Sequence, residues 1–383
     1  MTTINKIKKA IKNPELAQHY LEMKIRKKLF SPLLYYLSSG GYSSPPYRIG
    51  IAVNSICNLR CVMCDVGQRQ ENRGFYKNLV VGGELSIEIL KRLIDDIKKF
   101  RPWIAINSTE PLLYKNLNEF IDYIVGNGLM CSVTTNGLLL ERFADSFVEK
   151  KLPLLYVSID GPPQVHNRIR GIHNSFEKAY EGIQRIIDRK EELNEKLPKI
   201  QVAYTISNYN YHCLEETVDL FKELGVDAFS FTHLNFVDTF MAEAHNVEYE
   251  HTFGKVYPSS ISAVDPKKVD VGVLTEQINI VKNKYSDFVT FIPDIATHQE
   301  VEVYYHSHEF IHNNRCTIPW KNAQILSNGD VIPASRCFHV IMGNIYKDSF
   351  NKIWNATLYQ SFRKNLKKCG TTPACARCCG LFG

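Results

Sequence analysis

The chain has 383 residues, 44% of them hydrophobic and 22% charged, and its formal net charge at pH 7 is +6. This length and composition predict one large globular domain with a smaller unit beside it. A nucleic-acid-binding protein would carry a stronger and more extended basic bias, so no nucleic-acid partner is expected. No stretch approaches about eighteen consecutive apolar residues, and the first residues lack the apolar run of a secretory signal. The sequence therefore predicts a cytoplasmic protein.

The beginning of the chain is basic, and we expect residues 1–47 to form a helical N-terminal extension. A solvated helical face is the ordinary interpretation of such a charge run. The segment KIRKKLFSPLLYYL, residues 24–37, places basic residues before aromatic ones. This order leaves a second interpretation open, a weak contact with a membrane surface or an acidic partner.

Between residues 48 and 295, short β-branched runs alternate with longer amphipathic stretches. The predicted strands are residues 48–56, 103–107, 131–135, 154–159, 200–206, 228–232 and 288–292. The predicted helices are residues 87–97, 117–125, 141–150, 175–190, 213–223 and 274–284. Alternation of this kind implies parallel strands with right-handed crossovers, and six units are too few for an eight-fold barrel. We therefore predict an α/β fold, a partial (β/α)6 barrel with its ligand site at the carboxyl ends of the strands.

Two stretches interrupt this rhythm. Residues 235–272 form a long insertion where a substrate lid could lie. Four histidines, His298, His306, His308 and His312, follow the barrel and are interpreted as scattered surface residues. From Cys316 onward the pattern changes to a hairpin with Asn328-Gly329 at its turn. Residues 296–383 are therefore predicted to form a small C-terminal α+β domain.

Eleven cysteines are many for a chain in a reducing compartment, where disulfides are disfavoured and metal ligation is the leading explanation. Cys131 and Cys213 stand alone in apolar segments and are predicted to be buried, inert thiols. Cys57, Cys61 and Cys64 directly follow the first strand. Three thiolates suit an iron-sulfur cluster or zinc, and no fourth ligand lies nearby in the sequence. The motif therefore leaves one coordination position open.

This spacing, three residues and then two after the first strand, resembles the signature of the radical S-adenosylmethionine enzymes. In that family the three cysteines hold a [4Fe-4S] cluster, whose open iron binds the amino and carboxylate groups of S-adenosylmethionine. One electron from the cluster releases methionine and a 5′-deoxyadenosyl radical, which abstracts a substrate hydrogen atom. The resemblance also implies an electron donor such as flavodoxin or ferredoxin.

Further landmarks resemble the same family. Where the family carries Gly-Gly-Glu-Pro after the second strand, this chain has Ser108, Thr109, Glu110 and Pro111, so both glycines are replaced. The earlier Gly82-Gly83-Glu84 precedes the first helix and is interpreted as a turn. By the resemblance, the residues that contact the cofactor are Ser108, Thr109, Glu110 and Pro111.

The third and fourth strands end in TTNG and SIDGPPQVHNRIRG. The resemblance implies that Asn136, Ser158 and Asp160 line the pocket for ribose and methionine, and that Arg170 pairs with the carboxylate. Met63 stands where an aromatic residue commonly lies near the adenine.

In the C-terminal region, spacing alone allows either zinc or a second cluster. The segments around GDVIPASRC and PACARC resemble the twitch domain, a shortened SPASM domain. The resemblance implies an auxiliary [4Fe-4S] cluster held by Cys316, Cys337, Cys375 and Cys378. Cys369 and Cys379 are the substitute ligands, and we do not expect the seven cysteines of a full two-cluster SPASM domain.

Three functions compete. The first is a radical enzyme that oxidises or epimerises a small molecule, namely a sugar, a cyclitol or a lipid-like compound. The second is a maturase of a ribosomally made peptide, although the residues before the first strand look too few for a peptide-recognition module. The third is a non-catalytic zinc protein. No residue is marked as the catalytic acid, base or hydrogen donor.

Overall fold

The computed structural model describes residues 35–36, 40–65, 83–261, 263–311, 315–333 and 340–378. The predicted N-terminal extension and its membrane contact therefore lie almost entirely outside the described residues. Tyr35, from the end of that segment, is buried and packs edge-on against Trp320, with 4.8 Å between the ring centroids. Tyr35 thus belongs to the core, whereas its neighbour Tyr36 is exposed.

One sheet runs through the molecule. Its strands in chain order are β1 (Arg48–Ile51), β2 (Trp103–Ile106), β3 (Cys131–Thr135), β4 (Leu154–Ser158), β5 (Lys199–Ile206), β6 (Ala228–His233), β7 (Val289–Ile292), β8 (Asn322–Ile325), β9 (Asp330–Ile332) and β10 (Gly343–Asn344). Strands β1 to β7 are parallel, and each pairs with the next. The strand order is β10-β9-β8-β1-β2-β3-β4-β5-β6-β7, so β10 and β7 are the outer strands of an open sheet. The predicted partial (β/α)6 barrel is confirmed.

Helices follow the strands as predicted. They are α1 (Ile87–Ile97), α2 (Leu117–Gly126), α3 (Leu140–Glu149), α4 (Pro163–Arg170), α5 (Ser175–Glu192), α6 (Leu214–Leu224), α7 (Thr239–Phe253), α8 (Val271–Lys284), α9 (His298–His306), α10 (Phe350–Trp354) and α11 (Thr357–Cys369). In α1 the side chains spaced for one helical face, Leu90, Ile94 and Ile97, are buried against the sheet, and Ser86 caps the first turn.

Side chains of β5 show how the sheet has one covered and one open face. Ile200, Val202 and Tyr204 are buried, whereas Gln201, Ala203 and Thr205 between them are partly exposed. This alternation places every second side chain under the helices. The partly exposed face is the interior of the incomplete barrel, and it is the face available to a ligand.

The C-terminal region continues this sheet. Strand β8 pairs in parallel with β1, with Arg48 opposite Asn322, and β9 turns back antiparallel to β8. Gly329 has φ +87° at the predicted hairpin turn, a conformation that favours glycine. The predicted hairpin is present, and the long-range β1–β8 pairing is an addition to the prediction.

Between residues 48 and 311 the sequence interpretation missed three helices, α4 after β4, α7 and α9. Helix α7 lies inside the predicted insertion and is capped by Asp238, whose side chain accepts from the Met241 N–H. Helix α9 begins with a capping box in which Thr297 and Glu300 cap each other's backbone, and this Thr-x-x-Glu pattern was a readable helix signal.

Three of the four histidines, His298, His306 and His308, are exposed as predicted, and His312 lies outside the described residues. Within the described ranges, no helix combines the length and apolar character needed to cross a membrane.

Candidate active site

The cysteine motif lies in a loop that follows β1. Cys61 is buried, and Cys57 and Cys64 are half-buried. The Val62 N–H donates to the Ile169 carbonyl at 2.9 Å, and the Cys64 N–H donates to the Cys61 carbonyl at 3.1 Å. The loop is thereby held against α4, at the carboxyl ends of the parallel strands, where ligands bind in such folds.

Two polar side chains approach the thiols. Arg170 Nη1 donates to Cys61 Sγ at 3.8 Å, and Asn136 Nδ2 donates to Cys57 Sγ at 3.9 Å. Burial raises the pKa of Cys61 to about 12, and the neighbouring Cys64 and Cys57 thiols add to that rise. A buried thiolate is therefore unfavourable here unless a cation binds it.

These features fit an iron-sulfur cluster. N–H donors to sulfur are a usual means of tuning such clusters. In the described part of the chain, no three His, Cys, Asp or Glu side chains converge tightly enough to hold a single metal ion. A cubane cluster holds its thiolates wider apart than one zinc ion does, because each sulfur binds a different iron.

Glu110 lies at the carboxyl end of β2 and is buried. Its Oε1 accepts from Thr135 Oγ1 at 2.8 Å and from the Leu112 N–H at 3.0 Å, and its Oε2 accepts from the Asn136 N–H at 2.8 Å. Burial raises the pKa of Glu110, and the backbone donors of Asn136 and Leu112 oppose that rise. Oε2 therefore retains acceptor capacity for a ligand while the carboxylate joins the ends of β2 and β3.

The two residues that replace glycines behave differently. Ser108 has φ +87°, in the left-handed region that glycine adopts most easily. Thr109 Oγ1 donates to the Asn54 carbonyl at 2.9 Å and lies 2.7 Å from Asn54 Oδ1, tying this loop to the residues before Cys57. Ser108 thus adopts a backbone conformation that glycine would adopt more easily. Pro111 is the first residue of a short, largely buried 3-10 turn that follows.

We expect Ser108→Gly to raise the free energy of unfolding by up to about 1 kcal/mol. A residue other than glycine pays about 1–2 kcal/mol for the left-handed backbone conformation, and glycine avoids that cost. Part of the gain is lost because glycine gives up more backbone entropy on folding. Ser108→Val should lower it by about 1–2 kcal/mol, since a β-branched side chain tolerates this backbone poorly. Urea denaturation of the two variants measures both changes. A stabilised valine variant would contradict the strain interpretation.

Asp160 and Arg170 form a buried ion pair beside the cysteine loop. Asp160 Oδ2 contacts Arg170 Nη2, and Asp160 Oδ1 accepts from the Thr205 N–H at 3.0 Å. His166 Nδ1 accepts from the Asp160 N–H at 3.1 Å, and burial and the Arg170 charge hold the pKa of His166 well below its usual value. Arg170 therefore links the end of β4 to Cys61, a contact that sequence reasoning missed because it joins distant residues.

Two other predicted cofactor residues occupy strand ends nearby. Asn136 Nδ2 donates to Asn58 Oδ1 at 2.8 Å, and its own Oδ1 accepts from the Leu138 N–H. Ser158 ends β4 on the partly exposed face, opposite Ala203. The structure thus brings the predicted residues of β2, β3 and β4 to one edge of the sheet, next to the cysteine loop.

A second group of cysteines lies in the C-terminal region. Cys316, Cys375 and Cys378 are buried, and the Cys378 N–H donates to the Cys375 carbonyl at 3.0 Å. Burial raises the pKa of Cys316 to about 12, and the Cys378 thiol adds to the rise. The three thiols are therefore neighbours, as a shared cluster requires.

The other predicted or substitute ligands of the auxiliary cluster are Cys337, Cys369 and Cys379. Cys337 and Cys379 lie outside the described residues. Cys369 is half-buried at the end of α11, with its thiol directed at the Leu366 carbonyl at 3.7 Å. Sequence reasoning also missed His245, whose Nδ1 lies 2.9 Å from Thr372 Oγ1, because it lies in the helix within the insertion.

The insertion is fastened to the cysteine loop. Asp65, directly after Cys64, is buried, and its Oδ1 accepts from the Ser260 N–H at 2.8 Å. Ile261 then lines a cavity of about 680 Å³ at the carboxyl ends of β5 and β6. The contact between Asp65 and Ser260 thus attaches the insertion, where a substrate lid was predicted, to the end of the cysteine loop.

The cavity is lined by side chains of mixed character. Asp238 Oδ2 lies 2.6 Å from His308 Nε2, and the Phe240 ring stacks on His308 with 4.4 Å between centroids. Other lining residues include Asn208, Tyr209, Lys267 and Tyr305. Such a wall offers hydrogen-bond donors, acceptors and aromatic faces to one ligand.

Comparison with known proteins agrees with this geometry. Residues 51–191 match the model of the radical SAM superfamily, and residues 316–379 match that of the SPASM iron-sulfur cluster-binding domain. Fe-coproporphyrin III synthase from Methanosarcina barkeri is 30% identical over 180 residues, covering 46% of this chain and 41% of that relative. This chain therefore spans less than half the length of that curated relative.

Two further likenesses extend over most of the chain. The tungsten-containing aldehyde ferredoxin oxidoreductase cofactor-modifying protein from Pyrococcus furiosus is 22% identical over 86% of both chains. The crystal structure of Streptococcus suis SuiB bound to S-adenosylmethionine has a TM-score of 0.59 at 14% identity, covering 86% of this chain and 70% of that one, which shows a common fold. The chain therefore carries a radical SAM domain and a C-terminal SPASM iron-sulfur cluster-binding domain, with [4Fe-4S] clusters and S-adenosylmethionine as cofactors.

Proposed function

We propose that this chain removes a hydrogen atom from a polyhydroxylated small molecule, a sugar or a cyclitol, and thereby initiates its oxidation or epimerisation. The observation that carries the proposal is the cavity lined in part by Ile261, next to Ser260, whose backbone N–H donates to Asp65 directly after Cys64. Its volume of about 680 Å³ lies within the range of roughly 300–1,000 Å³ for small-molecule sites. Its walls come from the ends of β5 and β6 and from the insertion.

The lining favours a hydroxylated ligand. Asn208 and His308 present planar polar groups that can donate to hydroxyls or accept from them, and the Asp238 carboxylate can accept from them. The rings of Tyr209 and Phe240 offer negatively polarised faces to C–H bonds that neighbouring oxygens have polarised. This polar lining makes a lipid-like substrate the weakest of the three small-molecule classes.

The residues proposed to bind the cluster and S-adenosylmethionine are those that the sequence analysis indicated. Cys57, Cys61 and Cys64 hold the cluster that supplies an electron to S-adenosylmethionine and so yields the hydrogen-abstracting 5′-deoxyadenosyl radical. The residues proposed to orient S-adenosylmethionine are Ser108, Thr109, Glu110, Pro111, Asn136, Ser158, Asp160 and Arg170. Support comes from their shared position at one sheet edge, and from the donors that Asn136 and Arg170 already direct at sulfur.

The auxiliary cluster is proposed to be held by Cys316, Cys337, Cys375 and Cys378. In an oxidation, a substrate radical must lose one proton and one electron, and this cluster would accept the electron. An external donor such as flavodoxin or ferredoxin supplies the electron that starts each cycle.

The test uses anaerobically reconstituted protein with S-adenosylmethionine and dithionite. A panel of inositols, aminocyclitols and sugars is expected to contain a compound that raises 5′-deoxyadenosine formation above the uncoupled rate. Asp238→Asn should lower that stimulated rate about tenfold or more, because a hydrogen bond to a charged group is worth about 1.5–3 kcal/mol. Asparagine still caps α7, so the helix is retained.

The matched control is Asp122→Asn, an exposed carboxylate on α2 that should leave the stimulated rate unchanged.

The second candidate function is that of a peptide maturase. It is favoured by the exposed rim of the cavity, where Phe240 is 60% exposed. Stimulation by synthetic peptides with charged and aromatic residues, and by no polyol, would replace the first proposal with the second.

A further inference from the structure

His308 and Asp238 form a hydrogen-bonded pair in the wall of the cavity, and each is held from a second side. Asp238 Oδ2 lies 2.6 Å from His308 Nε2, while Asp238 Oδ1 accepts from the Met241 N–H at 2.8 Å and so caps α7. The imidazole ring also stacks on Phe240, with 4.4 Å between the ring centroids. The ring of His308 is therefore fixed by a carboxylate at its edge and by an aromatic ring on its face.

The contact with Asp238 decides which nitrogen of His308 carries the proton. An ionised carboxylate can only accept hydrogen bonds, so Nε2 is the protonated nitrogen of the neutral ring and Nδ1 holds a lone pair. Among the residues that the structure describes, none forms a hydrogen bond with this Nδ1. A histidine acts as a general base in this arrangement, because the carboxylate orients the ring and stabilises the imidazolium that forms when the other nitrogen takes a proton.

A second histidine of the cavity wall lacks this arrangement. His306 Nε2 lies 3.1 Å from the Val269 carbonyl, and His306 Nδ1 lies 3.0 Å from Glu302 Oε2. Both of its ring nitrogens are therefore engaged. Of these two histidines, only His308 offers a ring nitrogen to a ligand in the cavity.

The proposed oxidation needs a group of this kind. Removal of a hydrogen atom from a carbon that bears a hydroxyl leaves a carbon radical, which must still lose one proton and one electron to become a ketone. The hydroxyl proton of this radical is more acidic than that of the parent alcohol, because the unpaired electron is shared with the oxygen. A neutral imidazole is a competent acceptor for such a proton.

We propose that His308 is the catalytic base of this reaction, that its Nδ1 takes the hydroxyl proton of the substrate radical, and that the product is a ketone. In this step the O–H bond breaks, the second carbon–oxygen bond forms, and the electron passes to an iron-sulfur acceptor, the auxiliary cluster proposed above. The hydrogen atom removed first has already left in 5′-deoxyadenosine. This inference rests on the proposed function, and within it selects oxidation over epimerisation.

The experiment measures ketone and 5′-deoxyadenosine together, in the reconstituted holoprotein, with the polyol of the panel that stimulates cleavage. Wild type should form equal amounts of ketone and of 5′-deoxyadenosine above the uncoupled rate. His308→Ala should still form 5′-deoxyadenosine, because hydrogen abstraction precedes proton loss, but its ketone yield per 5′-deoxyadenosine should fall about tenfold or more. Added imidazole should restore part of that yield.

Two further variants and a binding measurement separate proton transfer from binding. His308→Gln, whose amide can form hydrogen bonds but cannot take up a proton, should show the same loss of ketone yield. His298→Gln, at the exposed first residue of α9, should show none. Calorimetry without reductant should show that the affinity of His308→Ala for the polyol falls by less than the ketone yield does, since only one neutral hydrogen bond is lost.

An unchanged ketone yield in His308→Ala would overturn the proposal, and so would a wild-type product that is an epimer. A lost yield that imidazole does not restore would overturn it as well, since the side chain would then act through packing or binding. If a polyol stimulates cleavage and the His308 variants behave as wild type, only the base is wrong and the proposed function stands. If no polyol stimulates cleavage, the proposed function fails and this inference fails with it.

Discussion

Replacing Cys57, Cys61 and Cys64 together by Ala is expected to abolish 5′-deoxyadenosine formation and to lower the iron content from about eight to about four atoms per chain. The three thiols lie in one loop, and burial and the neighbouring Cys64 thiol raise the pKa of Cys57 and of Cys61, so the three form a single binding unit. Without them no cluster can transfer an electron to S-adenosylmethionine. Iron and sulfide analysis and chromatography of the reaction products measure the two effects.

The controls separate the two clusters. Cys131→Ala removes a buried thiol of the β3 core and should leave both iron content and cleavage unchanged, at a modest cost in stability. Combined replacement of Cys316, Cys375 and Cys378 should also remove about four irons but preserve uncoupled cleavage. Cleavage that survives in the Cys57, Cys61 and Cys64 variant would show that this loop is not the site.

The barrel could be predicted from the sequence because its signals are local. The buried residues of α1 recur at helical spacing after a serine cap, and β5 alternates buried and exposed side chains. The cysteine loop and the other landmarks could be placed for the same reason, since each follows a recognisable strand.

What the sequence could not show depends on contacts between distant residues. The pairing of β8 with β1 joins segments more than 270 positions apart, and neither strand's pattern names its partner. The contacts of Arg170 likewise join residues that are distant in the sequence. The family resemblance suggested that Arg170 contacts the cofactor. The structure shows that Arg170 pairs with Asp160 and donates to the Cys61 thiol.

Asp160→Ala is expected to lower the free energy of unfolding by about 3–5 kcal/mol, the usual cost of leaving one member of a buried ion pair without its partner. Asp160 is fully buried, its Oδ2 contacts Arg170, and its Oδ1 accepts from the Thr205 N–H. Alanine would leave the Arg170 charge unbalanced beside Cys61 and remove the acceptor of that N–H. Chemical denaturation of wild type and variant measures the difference.

A double variant distinguishes the lost pair from general damage at this position. Asp160→Ala combined with Arg170→Met removes both charges, so it should recover about 2 kcal/mol or more of the stability that the single variant loses. Asp160→Asn should cost less than alanine, because its amide oxygen can still accept from the Thr205 N–H. Additive losses in the double variant would mean that the ion pair contributes no coupling. In that case the stability of this strand end would come from packing alone, and Arg170 would be available to bind a ligand carboxylate.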